Sequence, residues 1–203
     1  MSALAVLGGG NVGRLLATGW AATGRPVLVG TRDPGATAQR WSAPGVTHLS
    51  RAEAVGGADV VVNALHGAHA VAELSALRAE LDGRVLLDVS NPDPGAERRL
   101  SIAEELQGAL PGSRVVKSLN TMLATVMTTP TTLADSPTVF VAGDDPTARA
   151  VVGELLGELG WTPDQVADVG GLRAARVLES FMDLVPALYT RHRGAPFALG
   201  ISV

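Results

Sequence analysis

Apolar runs alternate with amphipathic stretches along most of the chain. The run at 59–65, DVVVNAL, is apolar almost throughout, which is typical of a strand buried on both faces of a parallel sheet. The stretch at 69–81 instead places apolar residues every three or four positions, as one face of a helix does. The pattern therefore indicates buried strands that are separated by helices.

The same patterns predict the order of the elements. Strands are predicted at 3–7, 27–29, 46–49, 59–65, 84–89, 115–119, 138–142 and 165–169. Helices are predicted at 14–22, 36–41, 51–55, 69–81, 102–110, 148–159 and 172–192. This alternation predicts an α/β fold with a doubly wound, mostly parallel sheet and a C-terminal helical extension. The last helix either docks across the sheet or packs against a second subunit.

The turn between the first strand and the first helix is rich in glycine. Gly8, Gly10 and Gly13 match the pattern G-x-G-x-x-G. In a dinucleotide-binding turn the first glycine lets the chain leave the strand, the second lets the backbone approach a pyrophosphate, and the third lets helix and strand pack closely. Free N–H groups at the start of the helix favour phosphates. The motif predicts a Rossmann-type fold that binds a dinucleotide, and a tight turn that binds nothing is the alternative.

The end of the second strand indicates which nicotinamide cofactor is bound. NAD sites usually place Asp or Glu there, whereas this chain has Thr31 and then Arg32. A hydroxyl and a guanidinium donate hydrogen bonds to a 2′-phosphate, and each bond to a charged group contributes about 1.5–3 kcal/mol. One such bond corresponds to a roughly ten- to hundred-fold preference for NADP. The alternative is that Arg32 is a solvated loop charge, and Asp33, which follows, is compatible with either cofactor.

Ligands of doubly wound sheets bind beyond the carboxyl ends of the strands. Asn120 and Thr121 follow the sixth predicted strand, so we expect them near the nicotinamide or the second substrate, although Asn120 is also a good helix N-cap. The residues expected to contact the dinucleotide are Gly8, Gly9, Gly10, Asn11, Val12, Thr31, Arg32, Ala64, Leu65, His66, Ser90, Asn91 and Pro92.

The sequence offers only weak catalytic candidates, because no set of nucleophile, base and orienting residue is evident. Lys117 near a strand end is an acid catalyst, a substrate contact or a structural lysine. His66 is a candidate cofactor contact. It lies three residues before His69, a spacing that two metal ligands can have, but the sequence offers no cysteine and no paired carboxylates to complete a metal site, so we expect none. Arg173 and Arg176 are solvated or paired charges, or contacts to an anionic acceptor. Hydride transfer between two rings needs alignment more than an acid or a base.

Composition narrows the expected partners and compartment. The chain has 203 residues and a net charge of −4 with the signs interspersed, which argues against nucleic acid or an anionic membrane as partner. It has no cysteine, as is common in the cytoplasm, so we expect no disulfides. No apolar run approaches the roughly 18 residues of a membrane span, and we expect no signal peptide. We therefore expect a cytoplasmic protein.

Several segments spread along the chain carry a family resemblance. They are LGGGNVG at 7–13, VGTR at 29–32, VVKSLNT at 115–121, VAGDD at 141–145 and DVGGL at 168–172. With these segments the chain resembles the NADP oxidoreductases that depend on the deazaflavin coenzyme F420. The first two segments occur in many dehydrogenases, whereas the ordered set of later ones is more specific.

The resemblance implies a compact, usually oligomeric enzyme that moves a hydride directly between the nicotinamide and the deazaflavin. It implies that residues 9–12 hold the pyrophosphate, and that Thr31 and Arg32 hold the 2′-phosphate. This chain departs from the family at Ala36, where members carry a basic residue of the phosphate clamp. It also has Leu172, Arg173, Ala174 and Ala175 in the turn that faces the deazaflavin, where the family has small polar groups.

These observations predict a cytoplasmic, dimeric oxidoreductase that transfers hydride between NADP(H) and a flavin-like or F420-type acceptor. Residues 1–143 are predicted to form the NADP-binding domain, and residues 144–203 a smaller α/β segment with the acceptor site and the dimer contacts. One alternative is a reductase of another small molecule, such as an imine, a ketone or a quinone, which must also deliver a proton. The other is a sensor that binds NADP(H) without catalysis.

Overall fold

The computed structural model describes residues 2–201, which form one sheet in the order β3-β2-β1-β4-β5-β6-β7-β8. The strands are β1 (Leu4–Leu7), β2 (Val27–Thr31), β3 (Val46–Ser50), β4 (Val60–Asn63), β5 (Val85–Asp88), β6 (Arg114–Ser118), β7 (Val139–Gly143) and β8 (Val166–Asp168). The helices are α1 (Asn11–Ala22), α2 (Pro34–Arg40), α3 (Arg51–Gly56), α4 (Gly67–Ser75), α5 (Arg78–Leu81), α6 (Ile102–Ala109), α7 (Ala124–Thr128), α8 (Pro146–Glu158), α9 (Ala175–Ser180) and α10 (Val185–Arg191).

The predicted fold class is confirmed. Strands β1 to β6 pair in parallel, β7 runs antiparallel to β6, and β8 runs parallel to β7. Along β1, Leu4 and Val6 pack into one apolar cluster and Ala5 and Leu7 into a second cluster. Because alternate side chains of a strand point to opposite faces, the uninterrupted apolar run indicates a sheet that is covered on both sides.

Several predicted helix bounds are wrong. Helix α1 begins at Asn11, three residues before the predicted start at 14. The predicted helix at 69–81 is instead divided into α4 and α5. The predicted helix at 172–192 is a series of short segments, in which 3₁₀ turns at Leu172–Ala174 and Phe181–Asp183 alternate with α9 and α10. Pro186 explains one of these breaks, because proline has no N–H to bond to the carbonyl group four residues earlier.

The C-terminal residues share the sheet and the core with the rest of the chain. Strand β8 extends the sheet, and Leu172 and Ala175 pack into the second apolar cluster. Within residues 2–201, no helix combines the length and the apolar character that crossing a membrane requires. The division at residue 143, the dimer and the cytoplasmic location stay predictions.

Two glycines of the first turn have the structural roles that their spacing predicts. Gly8 has φ of +123°, which L-residues rarely adopt, and a Cβ there would lie 2.5 Å from the carbonyl oxygen of Ala64. A Cβ on Gly13 would overlap the carbonyl oxygen of Gly8. Helix α1 therefore packs against the end of β1 at a distance that only glycine permits.

We expect Gly13→Ala to lower the free energy of unfolding by about 3 kcal/mol, because the new methyl group meets backbone that cannot move aside. For a chain of this length the melting temperature should fall by roughly 6–12 °C. The matched control is Gly153→Ala in α8, where no atom lies within 4 Å of the added Cβ. The control should gain up to about 1 kcal/mol from its higher helix propensity. Equal shifts in both melting curves would contradict this account of the turn.

Candidate functional site

Two adjoining clefts lie at the carboxyl edge of the sheet. The first, here the arginine cleft, has a volume of about 390 Å³ and lies beside the ends of β1, β2 and β3. The second, here the apolar cleft, has a volume of about 710 Å³ and lies between the ends of β4 to β6 and the C-terminal segment. Both are lined by Gly10, Ala64, Leu65 and His66, so together they form one continuous groove.

The glycine turn forms the floor where the clefts meet. Gly10 is the N-cap of α1, and no atom lies within 4 Å of the position that its Cβ would take. The first N–H groups of the helix, at Asn11 and Val12, have no partner within the helix. Both residues line the apolar cleft. The open space and the unpaired amide donors fit the pyrophosphate of a dinucleotide.

The arginine cleft is lined by Thr31 and Arg32, the two residues at the end of β2 that were expected to bind a 2′-phosphate. Thr31 is buried, and the hydroxyl group of Thr37 lies 3.1 Å from the Thr31 hydroxyl oxygen. Arg32 is exposed, and among the described residues it forms no ion pair. Asp33 caps α2 by accepting a hydrogen bond of 2.8 Å from the backbone N–H of Ala36. Its carboxylate therefore has a structural role in starting the helix.

Two further arginines line this cleft and were missed by the sequence reasoning. Arg40, at the end of α2, donates a hydrogen bond of 3.3 Å to Thr37. Arg51 follows β3 directly and pairs with Glu73 at 2.5 Å, while its Nε has no partner. The end of β3 belongs to the same carboxyl edge, so the strand-end rule could have found Arg51. The strand-end rule could not have found Arg40, because this residue lies at the end of helix α2 and does not follow a strand.

The lining of the apolar cleft differs from that of the arginine cleft because its described residues include no arginine. Its outer wall consists largely of apolar side chains, namely Met122, Leu123, Met127, Met182, Val185, Tyr189 and Pro196. No Asp, Glu, Lys or Arg is among its described lining residues, and His66 and Tyr189 are its titratable groups. Such a wall suits the face of a planar, uncharged ring.

A pair of asparagines forms the polar part of the apolar cleft. Asn91 donates a hydrogen bond of 2.8 Å to the carbonyl oxygen of Asn120, and the Asn120 amide donates one of 2.9 Å to the Asn91 side chain. Asn120 also donates to the carbonyl oxygen of Leu178 at 3.0 Å. The preceding residue, Leu119, has φ of +62° and turns the chain towards the cleft. Asn120 thus lines the groove as expected.

Other predicted residues lie outside the groove. Thr121 and Leu172 are 1% and 2% exposed and line neither cleft, so their roles as substrate contacts stay predictions. Pro92 lines a separate small cavity with Asp93. The order of strands and helices predicts which strand ends lie at this edge of the sheet, but it does not predict which side chains there line the groove.

Lys117 lies in the core and does not line the groove. Its ammonium group has no exposed surface, donates hydrogen bonds to Asp88 at 2.8 Å and to the carbonyl oxygen of Ser90, and forms an ion pair with Glu179 at 2.8 Å. The other oxygen of Asp88 accepts hydrogen bonds from Asn63 at 2.8 Å and from the Ser90 hydroxyl at 2.7 Å. Because the ammonium is fully buried and contacts two carboxylates and a carbonyl oxygen, the structure favours the structural alternative for this lysine.

Glu179 extends this buried network to the next helix. Its carboxylate accepts hydrogen bonds from the backbone N–H groups of Ile102 at 2.8 Å and Ala103 at 3.3 Å. These are the first residues of α6, where N–H groups lack partners within the helix. Two carboxylates, one ammonium and one helix start therefore connect β5, β6, α6 and α9.

His66 is the one histidine at the groove among the described residues. Its side chain is 62% exposed and its Nε2 lies 3.5 Å from Asp93. The rings of His66 and His69 are 5.9 Å apart. Residues 2–201 contain no group of three or more His, Cys, Asp or Glu residues that could hold a metal ion.

The side chain of Arg176 is engaged by a carboxylate. Its guanidinium donates two hydrogen bonds of 2.7 Å to Glu104, and these bonds lower the pKa of Glu104 to about 2. Glu104 also completes the capping box of α6 with Ser101. This geometry favours the interpretation of Arg176 as a paired charge over that of an anion contact.

Comparison with known sequences identifies a protein family and a curated relative. Residues 3–92 match the protein family described as coenzyme F420-dependent NADP oxidoreductase. Metalloreductase STEAP3 of Rattus norvegicus is 32% identical over 186 residues, which cover 90% of this chain and 37% of that protein. The chain therefore spans less than two-fifths of the length of this curated relative.

Solved structures extend the similarity to the whole described chain. A protein from Arthrobacter sp. FB24, proposed to be an F420-dependent NADP-reductase, is 34% identical with a TM-score of 0.90, covering 98% of this chain and 99% of that one. The hypothetical protein SMa0349 from Sinorhizobium meliloti is 26% identical with a TM-score of 0.71, covering 86% and 88% of the two chains.

We expect Lys117→Met to lower the free energy of unfolding by about 3–5 kcal/mol, because two buried carboxylates then face each other without a cation. Urea denaturation near neutral pH measures this loss. Adding Glu179→Gln to the same variant removes one of the two charges, so the double variant should recover part of the stability. A Lys117→Met protein as stable as the wild type would contradict this view of the network.

Proposed function

Because this chain belongs to the family of coenzyme F420-dependent NADP oxidoreductases, we propose that it transfers a hydride between NADP(H) and a flavin-like or deazaflavin ring. The observation that carries the proposal is the division of the groove. A cleft lined by arginines meets an uncharged apolar cleft at an open glycine turn. A dinucleotide that crosses this turn would have its phosphates at the cationic end and its nicotinamide at the apolar end.

In this proposal the NADP site uses the residues at the first strand ends. The backbone N–H groups of Asn11 and Val12 receive the pyrophosphate above Gly10. Thr31 and Arg32 bind the 2′-phosphate, and Arg40 compensates for the small residue at position 36 where the family has a basic one. Ala64, Leu65 and His66 line both clefts and so accompany the cofactor from one to the other.

When bound, NADPH supplies a hydride from its nicotinamide. The protein contributes alignment, because the asparagine pair fixes the inner end of the apolar cleft and the methionine-rich wall excludes water from a ring docked there. Ring-to-ring transfer needs no protein acid at the reacting atoms. The buried position of Lys117 is compatible with such a reaction, since that lysine lines neither cleft.

The 2′-phosphate assignment is tested by substitution. We expect Arg32→Ala to raise the Kd for NADPH about ten- to hundred-fold, because a charge-assisted hydrogen bond is lost, while the Kd for NADH changes by less than about twofold. Arg40→Ala should act in the same direction with a smaller effect. The matched control is Arg78→Ala in α5, an exposed arginine that precedes β5 at the opposite edge of the sheet. Equal losses for both cofactors would refute the assignment.

The acceptor class is tested by following NADPH oxidation with riboflavin, FMN and F420, and separately with quinones, imines and ketones. We expect turnover with the flavin and deazaflavin rings, and we expect His66→Ala to retain at least about a third of it because no proton donor is needed. A requirement for His66 together with turnover of imines or ketones would instead indicate the reductase alternative. Tight NADPH binding without oxidation by any acceptor would indicate a sensor.

A further inference from the structure

Three polar side chains form a row across the strands that end at the apolar cleft, here the polar ladder. Asn63 is the last residue of β4 and Asp88 the last of β5, and the register places them opposite each other and Asp88 opposite Lys117 of β6. None of the three residues has exposed surface. Asn63 and Lys117 each donate a hydrogen bond of 2.8 Å to the carboxylate of Asp88. The ladder therefore links the ends of three neighbouring strands.

The ladder also holds backbone that lines the groove. The side-chain oxygen of Asn63 accepts a hydrogen bond of 3.2 Å from the N–H of Leu65, which lines both clefts. Asp88 accepts one of 3.1 Å from the N–H of Ser90, and Lys117 donates to the carbonyl oxygen of the same residue. Ser90 lines the apolar cleft. The ladder thus sets the direction of peptide groups in the turns after β4 and β5.

Glu179 attaches the turn after β6 to the ladder. Its carboxylate lies 2.8 Å from the Lys117 ammonium and accepts hydrogen bonds from the first N–H groups of α6. The preceding residue, Leu178, presents its carbonyl oxygen to the amide of Asn120 at 3.0 Å. The ion pair at the end of the ladder therefore holds α9 where it can bind the turn that carries Asn120.

Stability alone does not explain a charged row at this place. Burying an ammonium and two carboxylates costs free energy, and apolar side chains of similar volume often stabilise a core equally well. Apolar contacts have no preferred direction, whereas hydrogen bonds to N–H and C=O groups fix the orientation of a turn. Within residues 2–201, none of the ladder's hydrogen bonds reaches Thr31, Arg32 or Arg40 of the arginine cleft. The ladder acts on the apolar half of the groove.

We propose that the polar ladder and Glu179 position the nicotinamide ring of the cofactor. They hold three turns so that the ring lies against the apolar wall, although none of their side chains lines either cleft. This inference rests on the proposed function and adds to it the residues that orient the reactive half of NADP(H). A surface that is already in its binding shape avoids the cost of ordering it when the ligand binds. Damage to the ladder should therefore weaken the hold on the nicotinamide and spare the adenosine half.

Two probes separate the halves of the cofactor. Adenosine 2′,5′-bisphosphate has the adenosine and phosphate groups without the nicotinamide, and the emission of NADPH increases when its reduced ring leaves water. We expect the wild type to increase this emission. In Asn63→Ala, which keeps both carboxylates beside Lys117, the Kd for NADPH should rise about three- to tenfold and the emission increase should fall, because the N–H of Leu65 loses its acceptor. The Kd for the bisphosphate should change by less than about twofold.

The matched control is Leu155→Ala in α8, which removes a buried side chain of the first apolar cluster. It should lower the melting temperature and leave the emission and both Kd values unchanged. All constants are measured well below the lowest melting temperature of the set. A control that weakens NADPH and spares the bisphosphate as Asn63→Ala does would show that lost stability is sufficient, and would overturn the proposal.

Two lysine variants separate positioning from stability. Lys117→Met leaves two buried carboxylates without a cation, and adding Glu179→Gln should restore part of the stability. The double variant still lacks the donor to the carbonyl oxygen of Ser90, so we expect its Kd for NADPH to stay about tenfold above the wild-type value while its melting temperature recovers. A merely structural role predicts that NADPH binding recovers together with stability. If the lysine variants do not fold, Asn63→Ala decides between the two roles.

The positioning role can fail without the proposed function failing. If the wild type increases the emission of NADPH and oxidises it with a ring acceptor, and Asn63→Ala keeps the wild-type ratio of the two Kd values, hydride transfer stands and the positioning role is overturned. If the wild type oxidises NADPH with no acceptor, the proposed function fails. A ratio of Kd values that still changes in Asn63→Ala and not in Leu155→Ala would then support the positioning role alone, and an unchanged ratio would overturn both.

Discussion

The buried ammonium group of Lys117 is the interaction on which the polar end of the apolar cleft depends. It is completely buried, and removing a cation from water costs several kcal/mol unless partners replace the water. Asp88, Glu179 and the carbonyl oxygen of Ser90 replace it, and they come from β5, α9 and the turn after β5. This turn leads directly into Asn91, and α9 supplies the carbonyl oxygen of Leu178 that holds Asn120. One buried charge therefore fixes the asparagine pair from both sides.

The groove divides its charges in a way that follows from the topology of the sheet. The ends of β2 and β3 carry Arg32 and Arg51, whereas the ends of β4 and β5 carry Ala64 and Asn91. Because parallel strands all end at one edge, a change of residue type from one strand to the next becomes a gradient of charge across that edge. The open space above Gly10 connects the two ends. A long ligand with phosphates at one end and an uncharged ring at the other matches this gradient.

Sequence reasoning succeeded where the determinant is local. The apolar runs predict the strands, and the glycine spacing predicts a close approach that the structure confirms at Gly8 and Gly13. It failed where contacts between residues that are distant in the sequence determine the role of a side chain. Lys117 and Glu179 are far apart in the chain, and their pairing has no periodic signature, so a buried network could not be told from a catalytic lysine. Leu172 was expected in a turn that faces the acceptor, but its side chain packs into the second apolar cluster.

Two described residues other than glycine have positive φ, Leu119 and Arg193, and they offset this strain differently. Leu119 is 1% exposed and packs into the first apolar cluster, so the burial of its side chain, about 1.5–3 kcal/mol, balances the backbone conformation. Arg193 is exposed and gains no such burial, although glycine would fit the turn without strain. Since the turn itself does not need a side chain at this position, what distinguishes Arg193 from glycine there is an exposed positive charge.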